Sequence, residues 1–159
     1  MGNEQMIYNL LKEMNIEYKT LEHEAISSVK DHLFELEGQQ VKNLLLKAKK
    51  TNNIYLVLIH DEKSLNLTDL AEKLEEKRLS FASSDTMIEL TGCKPGILTP
   101  FGLLFDKDYK VNLIVDTAID TSTTIGAHPF INTKTLNIQF KDFERFFEYT
   151  GHKINFIEL

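Results

Sequence analysis

Apolar residues near the N-terminus recur at helical spacing, which predicts an amphipathic helix over residues 3–14. A short apolar segment at 16–21 then predicts a strand. Ser28 and Asp31 have the spacing of a capping box, and apolar residues at helical spacing follow them. This pattern predicts a second helix, which Gly38 can end because glycine accepts the left-handed backbone conformation.

The pattern becomes β-type in the next part of the chain, where apolar runs occupy residues 41–46 and 54–59. Turn-forming residues at Thr51–Asn53 lie between the two runs. Two strands joined by such a turn predict an antiparallel hairpin, with residues 47–50 near its tip.

Helical spacing returns at residues 67–74, where Asn66 or Thr68 can cap the first turn. The basic pair Lys77–Arg78 suits the C-terminal end of this helix, because positive charge is favourable there. Residues 79–82 then predict a further strand.

The second half of the chain begins with a short helix that Ser83 or Ser84 can cap and that Gly92 can end. Strands are predicted at 103–106 and 111–116, on either side of a polar turn. Alternating apolar residues at 136–140 predict a half-buried strand.

Phenylalanines at helical spacing predict a final helix that ends at Gly151. Helices interspersed with hairpin-linked strands are typical of an α+β, or mixed α/β, fold. The expected architecture is therefore a single domain over residues 1–159, in which helices surround a central, predominantly antiparallel mixed sheet.

Length and composition support that expectation, because 159 residues with 42% hydrophobic content can form one substantial core. The chain contains no apolar run near the length of a membrane span, and its N-terminus lacks the pattern of a signal peptide. We therefore expect a cytoplasmic protein with no membrane partner. Its single cysteine, Cys93, allows no intrachain disulfide and no CxxC metal site, and a buried thiol is the expected role.

The formal net charge of −6 argues against a protein that holds DNA or RNA by bulk charge. Residues 38–60 differ from this average, because they contain four lysines and no acidic residue. The lysines near the hairpin tip, Lys47, Lys49 and Lys50, can be either a solvated surface or a set of phosphate contacts, and the residues alone leave both interpretations open.

Lys42 lies inside an otherwise apolar strand, where its ammonium needs water, an anion or a set of acceptors. It can be a lysine that extends to solvent from an edge strand, or it can have a function. Strict alternation places Lys42 and Asn43 on opposite faces of the strand. Both side chains can enter one pocket only if a bulge lies here; otherwise Asn43 acts through its backbone or from the rim.

Two later segments also combine unusual residues. Residues 96–102 contain Gly96 and Gly102 on either side of Pro100, as expected for a tight connection or for a loop that approaches a ligand closely. His128 is one of five histidines, and it is framed by Gly126 and Pro129. A lone histidine is more often structural than catalytic, so the residues alone do not assign its role.

Together the Lys42–Asn43 pair, the Gly-x-x-x-Pro-Phe-Gly segment at 96–102 and the segment at 126–135 resemble the YbaK/ProX-type aminoacyl-tRNA deacylases. These proteins are free-standing relatives of the editing domain inserted in bacterial prolyl-tRNA synthetases. The resemblance extends from the region of His23 to Gly151.

The resemblance implies an esterase that removes a small amino acid from mischarged tRNA(Pro), and the Lys-Asn pair is most similar to the branch that removes alanine. It implies that Lys42 is the catalytic residue. The sequence contains no HxH, HExxH or Cys/His cluster, so no metal is expected, and no cofactor is expected either. His23 would lie at the rim, and Thr135 would brace the loop together with Asn132. The implied substrate-binding residues are Asn43, Gly96, Thr99, Pro100, Phe101, Gly102, Gly126, His128 and Asn132. The candidate tRNA-binding residues are Lys47, Lys49 and Lys50, which the local positive charge selects.

Several alternatives accompany this interpretation. Leu45 stands where the family motif commonly has phenylalanine, which leaves cysteine or serine as other possible aminoacyl groups. A non-catalytic module that binds tRNA or a synthetase, and a hydrolase of small esters unrelated to tRNA, are alternatives from other functional classes. The expected partners are the acceptor end of an aminoacylated tRNA and prolyl-tRNA synthetase.

Overall fold

The computed structural model describes residues 1–25 and 37–159, so the capping box expected at Ser28 and Asp31 and its helix lie outside the described residues. The first described helix is α1, and Asn3 caps it by accepting a hydrogen bond from the backbone N–H of Met6. The helices are α1 (Glu4–Glu13), α2 (Leu67–Lys73), α3 (Ser84–Thr91) and α4 (Phe140–Thr150), with a 3₁₀ helix at Pro100–Phe105. The strands are β1 (Tyr18–Glu22), β2 (Val41–Ala48), β3 (Ile54–His60), β4 (Leu79–Phe81), β5 (Val111–Asp116), β6 (Thr124–Ala127), β7 (Lys134–Gln139) and β8 (Ile154–Ile157).

The described strands form two sheets. The larger has the order β4-β2-β3-β5-β8, and the smaller has the order β1-β7-β6. Strand β2 runs antiparallel to β3 and β4, whereas β5 runs parallel to β3 and β8. The smaller sheet is antiparallel throughout. This arrangement confirms the predicted mixed and mainly antiparallel architecture.

The larger sheet separates two hydrophobic clusters because side chains alternate along its strands. The main cluster joins Leu45 and Leu56 to residues of α1, α4 and the 3₁₀ helix. The second cluster joins Leu46 and Val57 to Leu70 of α2. We call these two sides of the larger sheet the main-core side and the α2 side.

An isolated β-bridge connects the two sheets. Gln39 pairs with Ile125 in parallel orientation, and its carbonyl accepts a hydrogen bond of 3.0 Å from the N–H of Gly126. The chain therefore passes beside β6 immediately before it enters β2. This contact brings the segment that carries Lys42 next to the segment that ends at His128.

Three predictions of secondary structure were wrong. Residues 103–106 belong mainly to the 3₁₀ helix instead of a strand, because Pro100 favours a helical start and a short apolar run does not specify its own conformation. Helix α2 ends at Lys73, so the pair Lys77–Arg78 lies beyond it. Phe140 begins α4 instead of ending β7.

The remaining described elements agree with the sequence pattern to within a few residues. The hairpin of β2 and β3 is antiparallel, as predicted. Ser83 caps α3 by accepting a hydrogen bond from the N–H of Thr86, and Gly92 ends this helix with a φ of 63°. Within residues 1–25 and 37–159, no helix has the length and apolar character needed to cross a membrane.

Candidate active site

Lys42 occupies the second position of β2, directly opposite Ile59 of β3. The pairing of β2 with β3 is continuous from Val41 to Lys47, so no bulge interrupts the alternation. The side chain of Lys42 therefore leaves the sheet on the α2 side, together with those of Leu44 and Leu46. Asn43 leaves on the main-core side, as strict alternation required.

The ammonium of Lys42 is a candidate for anion binding because of what surrounds it. The side chain is half-buried, and none of the described residues forms a hydrogen bond or an ion pair with it. By contrast, Lys63 is bound to Asp116 at 2.9 Å and Lys134 to Glu4 at 3.1 Å. A half-buried cation without such a carboxylate suits a negatively charged ligand.

Gly126 lies on the same side of the molecule as Lys42. A Cβ atom added to Gly126 would lie 2.7 Å from Oε1 of Gln40 and 2.8 Å from Cγ2 of Thr135. Gln40 is two residues before Lys42 and continues the β2 pairing, since its carbonyl accepts the N–H of Asp61 at 3.3 Å. Its side chain therefore points to the α2 side, and its contact with Gly126 brings β6 beside that surface.

His128 extends this surface beyond the end of β6. Its Nδ1 lies 3.1 Å from the carbonyl oxygen of Lys134, so Nδ1 is the nitrogen that carries the proton. Its ring packs edge-on to the ring of His23, with centroids 6.2 Å apart. His23 Nε2 in turn lies 2.9 Å from Oγ1 of the buried Thr135. Lys42, Gly126, His128 and their neighbour His23 thus share one side of the protein.

The segment at 96–102 begins with a tight turn. Gly96 has a φ of +89° and follows Pro95, while the N–H of Ile97 donates to the carbonyl of Lys94 at 3.1 Å. This is the geometry of a type II turn, which needs glycine at its third position. Pro100 then begins the 3₁₀ helix, and the N–H of Gly102 donates to the carbonyl of Thr99 at 3.0 Å.

The second half of this segment is packed into the main core. Phe101 is completely buried, with its ring centroid 5.4 Å from those of Phe143 and Phe146. A Cβ atom on Gly102 would lie 2.7 Å from the side chain and from the carbonyl oxygen of Thr91. These contacts give both residues a packing role. The resemblance to the deacylases implies that they also contact substrate, and that contact stays a prediction.

Two buried polar atoms on the main-core side lack hydrogen-bond partners among the described residues. They are Oδ1 of Asn43 and Oγ1 of Thr99, and both residues are expected to bind substrate. A buried polar atom without a partner costs roughly 1–3 kcal/mol. The candidate residues therefore form two groups. Lys42 lies on the α2 side of the larger sheet, with Gly126 and His128 of the adjoining smaller-sheet segment next to it. The second group, on the main-core side, is Asn43, Thr99, Pro100, Phe101 and Gly102. Asn132 is half-buried in the connection between β6 and β7.

The hairpin lysines are distant from Lys42. Lys49 and Lys50 are exposed in the turn after β2, whereas Lys47 is half-buried within β2 on the main-core side. The end of β2 is about 20 Å from Lys42 by the rise of a strand. The N–H of Lys49 donates to the carbonyl of Arg78 at 2.9 Å. The basic pair Lys77–Arg78 therefore lies next to Lys49 and Lys50.

Cys93 is completely buried, and burial raises the pKa of its thiol. A buried thiol with a raised pKa is a poor nucleophile. Within the described part of the chain, no three His, Cys, Asp or Glu side chains are grouped so that they could hold a metal ion.

Gln40 also contributes to the candidate site, although the sequence pattern does not mark it as a site residue. Its position two residues before Lys42 in an alternating strand is the one feature of the sequence that indicates it faces the same side as Lys42.

Comparison with known proteins adds independent information. The family model described as the aminoacyl-tRNA editing domain matches residues 22–146. The prolyl-tRNA editing protein ProX of Acetoanaerobium sticklandii is 28% identical over 162 residues, covering 100% of this chain and 99% of its own. Prolyl-tRNA synthetase associated domain-containing protein 1 of Danio rerio is 32% identical over 147 residues, covering 89% of this chain and 79% of its own.

A solved structure of similar fold is that of a candidate trans-editing enzyme for prolyl tRNA synthetase. Its TM-score to this protein is 0.69 at 19% sequence identity, with 98% of this chain and 96% of the other covered. At this level of identity the likeness concerns the fold.

Proposed function

The chain belongs to the aminoacyl-tRNA editing domain family and is an aminoacyl-tRNA deacylase, and on this premise we propose that it hydrolyses alanine from mischarged tRNA(Pro). The observation that carries the proposal is the half-buried Lys42, whose ammonium has no partner among the described residues. A half-buried cation without a partner suits the phosphate group of a terminal adenosine. An aminoacylated tRNA has this phosphate, whereas most small esters lack it.

In the proposed reaction, water attacks the ester carbonyl that joins the amino acid to the 3′ end of the tRNA. The ester bond breaks, and the products are the free amino acid and a tRNA with both terminal hydroxyls. Lys42 would hold the terminal phosphate or the developing negative charge of the ester. No side-chain nucleophile is invoked, and the neighbouring 2′-hydroxyl of the tRNA can assist the proton transfer. No cofactor enters the reaction.

His128 is proposed as a binding residue beside Lys42. Because its Nδ1 carries the proton toward the carbonyl of Lys134, its Nε2 is the acceptor in the neutral ring. The position of His128 after β6, the strand that the segment before Lys42 contacts, makes it a candidate contact for the terminal ribose. The contact of His128 with His23 would hold the ring in its orientation.

Specificity for alanine would come from size, because a pocket that fits alanine excludes the larger proline. Leu45 is only 2% exposed and lies on the main-core side next to Asn43. Its replacement of the common phenylalanine would enlarge the space in that region, which keeps serine and cysteine as alternative aminoacyl groups. Prolyl-tRNA synthetase is the proposed protein partner, and the cytoplasm the expected compartment.

A panel of mischarged tRNAs tests these statements. We expect rapid release of alanine from Ala-tRNA(Pro), slower release of cysteine or serine, and no release of proline from Pro-tRNA(Pro). Preferred hydrolysis of the cysteine or serine ester would overturn the alanine assignment. If none of these esters is hydrolysed, the protein would instead be a non-catalytic binding module. If simple amino-acid esters are hydrolysed as fast as the aminoacylated tRNAs, the protein would be a hydrolase of small esters.

A further inference from the structure

Phe81 is an exposed aromatic residue at the edge of the larger sheet. It is the last residue of β4, and 63% of its surface is accessible. Single apolar residues on a surface need no special explanation. The position of Phe81 relative to Lys42 and to the basic residues is what distinguishes it from the other exposed aromatic residues.

The strand register places Phe81 on the same side of the sheet as Lys42. Phe81 pairs directly with Leu46 of β2, and paired residues in antiparallel strands point to the same side. Leu46, Leu44 and Lys42 share the α2 side by alternation. Four residues of rise along β2 and one strand spacing put Phe81 about 14 Å from Lys42.

Basic residues lie at the other end of the same short strand. Arg78 immediately precedes β4, and its carbonyl accepts the N–H of Lys49 at 2.9 Å. Lys49, Lys50, Lys77 and Arg78 are all exposed. The order along this surface is therefore a half-buried lysine, an exposed aromatic ring and a cluster of four exposed cations.

Glu76 fixes this cluster without neutralising its outer surface. Its buried carboxylate accepts hydrogen bonds from the hydroxyl of Tyr55 at 2.7 Å, from Thr51 at 2.9 Å and from Asn53 at 3.1 Å. The hydrogen bond from Tyr55 is the main cause of the lowered pKa of Glu76. Glu76 thus holds the turn that carries the lysines against the basic pair, while its own charge points inward.

An aromatic ring beside a line of cations is the arrangement that binds single-stranded nucleic acid, because bases stack on the ring and phosphates bind the cations. The proposed substrate carries such a strand, since the acceptor end of tRNA finishes in unpaired nucleotides. Building on the proposed function, we propose that Phe81 stacks with an unpaired base upstream of the terminal adenosine, between Lys42 and the cluster around Lys49 and Arg78.

The test measures binding of uncharged tRNA and of the same tRNA shortened by its unpaired 3′ nucleotides. Phe81→Ala and Phe81→Leu should weaken binding of the intact tRNA by about 5- to 100-fold, the range of one lost stacking contact. Phe81→Trp should keep the wild-type affinity. None of these variants should change binding of the shortened tRNA. Tyr149→Ala is the matched control, because Tyr149 is a 60% exposed aromatic residue on α4.

Two results would overturn the inference. Equal weakening with intact and shortened tRNA would mean that Phe81 does not contact the unpaired end. Unchanged tRNA binding, with lost association to prolyl-tRNA synthetase, would make this surface a protein interface. The proposed function is judged separately by hydrolysis: an enzyme that binds tRNA through Phe81 but releases no alanine would contradict that function alone.

Discussion

Replacing Lys42 by methionine tests the assigned centre of the site, because the substitution keeps most of the side-chain stem and removes the charge. Lys42 is half-buried and has no side-chain hydrogen bond or ion pair with any described residue, so the variant breaks no described polar contact. We therefore expect the free energy of unfolding to change by less than about 1 kcal/mol. The variant should fold as the wild type does.

The expected loss of activity is much larger than the change in stability. Removing one group that is positioned to stabilise developing charge in a site shielded from water typically lowers the rate about 10²- to 10³-fold. Lys42 lies on a strand whose pairing with β3 continues from the residue before it to Lys47, so its backbone position is fixed before the substrate binds. A group held in this way loses little on binding, and its removal should therefore lower the single-turnover rate by a factor in that range.

The assay is single-turnover release of alanine at saturating tRNA, together with unfolding by denaturant. Lys153→Met is the matched control, because Lys153 is an exposed lysine just before β8, at the opposite edge of the same sheet. A rate for Lys42→Met within a few-fold of the wild type would refute the catalytic assignment. A large fall in the unfolding free energy would refute the premise that the ammonium of Lys42 makes no stabilising polar contact.

Three further predictions concern other parts of the protein. Reversing Lys49 and Lys50 to glutamate should weaken tRNA binding and reduce the slope of log affinity against log salt by about 1.5, and an unchanged slope would make the turn a solvated surface. Gly102→Ala should lower the unfolding free energy by about 1–3 kcal/mol, measured by denaturant, because its Cβ would lie 2.7 Å from a backbone oxygen of α3. Burial acts to raise the pKa of Asp116, but hydrogen bonds from Lys63 and two backbone N–H groups outweigh it and lower that pKa. The resulting stability is fully present above the unfolded pKa of about 3.9 and is lost as the pH falls through the lower folded pKa. Lys63→Met should therefore destabilise the protein at pH 7, and denaturant unfolding should show this effect shrinking progressively as the pH falls below about 3.9.

The sequence predicted those elements whose signals are local. The hairpin of β2 and β3 follows from two apolar runs and a turn, and α3 follows from Ser83 at its start and Gly92 at its end. The run at 103–106 carries no such signal, because its apolar residues fit a strand and a buried 3₁₀ helix equally well. Packing decides between them, since Gly102 and Phe101 fit closely against α3 and α4.

The sequence pattern did not predict strands β6 and β8, because they also lack a clear local signal. Strands β6 and β8 have four residues each, and β6 contains a glycine that sequence rules associate with turns. That glycine suits a strand here because the side chain of Gln40 occupies the space where a Cβ would be. The neighbour is more than 80 residues away in the chain, so no local pattern can reveal the contact.

Some features of the candidate site follow from the local sequence pattern, and others depend on tertiary contacts. Alternation alone places Lys42 and Asn43 on opposite sides, and the continuous register of β2 agrees with it. That Gly126 lies beside the surface of Lys42 depends on the bridge between Gln39 and Ile125, which joins two distant segments. The family motifs indicate which residues belong to the candidate site, whereas the contact between the two sheets determines which of those residues are neighbours.

The outer edge of β2 shows how Lys42 and Asn43 can serve one ligand although their side chains diverge. The carbonyl of Gln39 faces β6 and that of Leu45 faces β4, where they accept hydrogen bonds from Gly126 at 3.0 Å and Ala82 at 2.9 Å. Backbone groups of a strand alternate in direction, so the main chain of Asn43 faces the same edge. The pairing described for this edge consists of the bridge at Gln39 and the pairing with β4 that starts near Leu45, which leaves Asn43 between them.

We therefore predict that Asn43 contributes its main-chain N–H and carbonyl to the substrate beside the side chain of Lys42. Asn43→Ala keeps those groups and should lower the single-turnover rate by less than about tenfold, or about 1.4 kcal/mol. Lys42→Met should lower it much more. A loss with Asn43→Ala as large as with Lys42→Met would instead assign the function to the amide side chain, whose buried Oδ1 has no described partner.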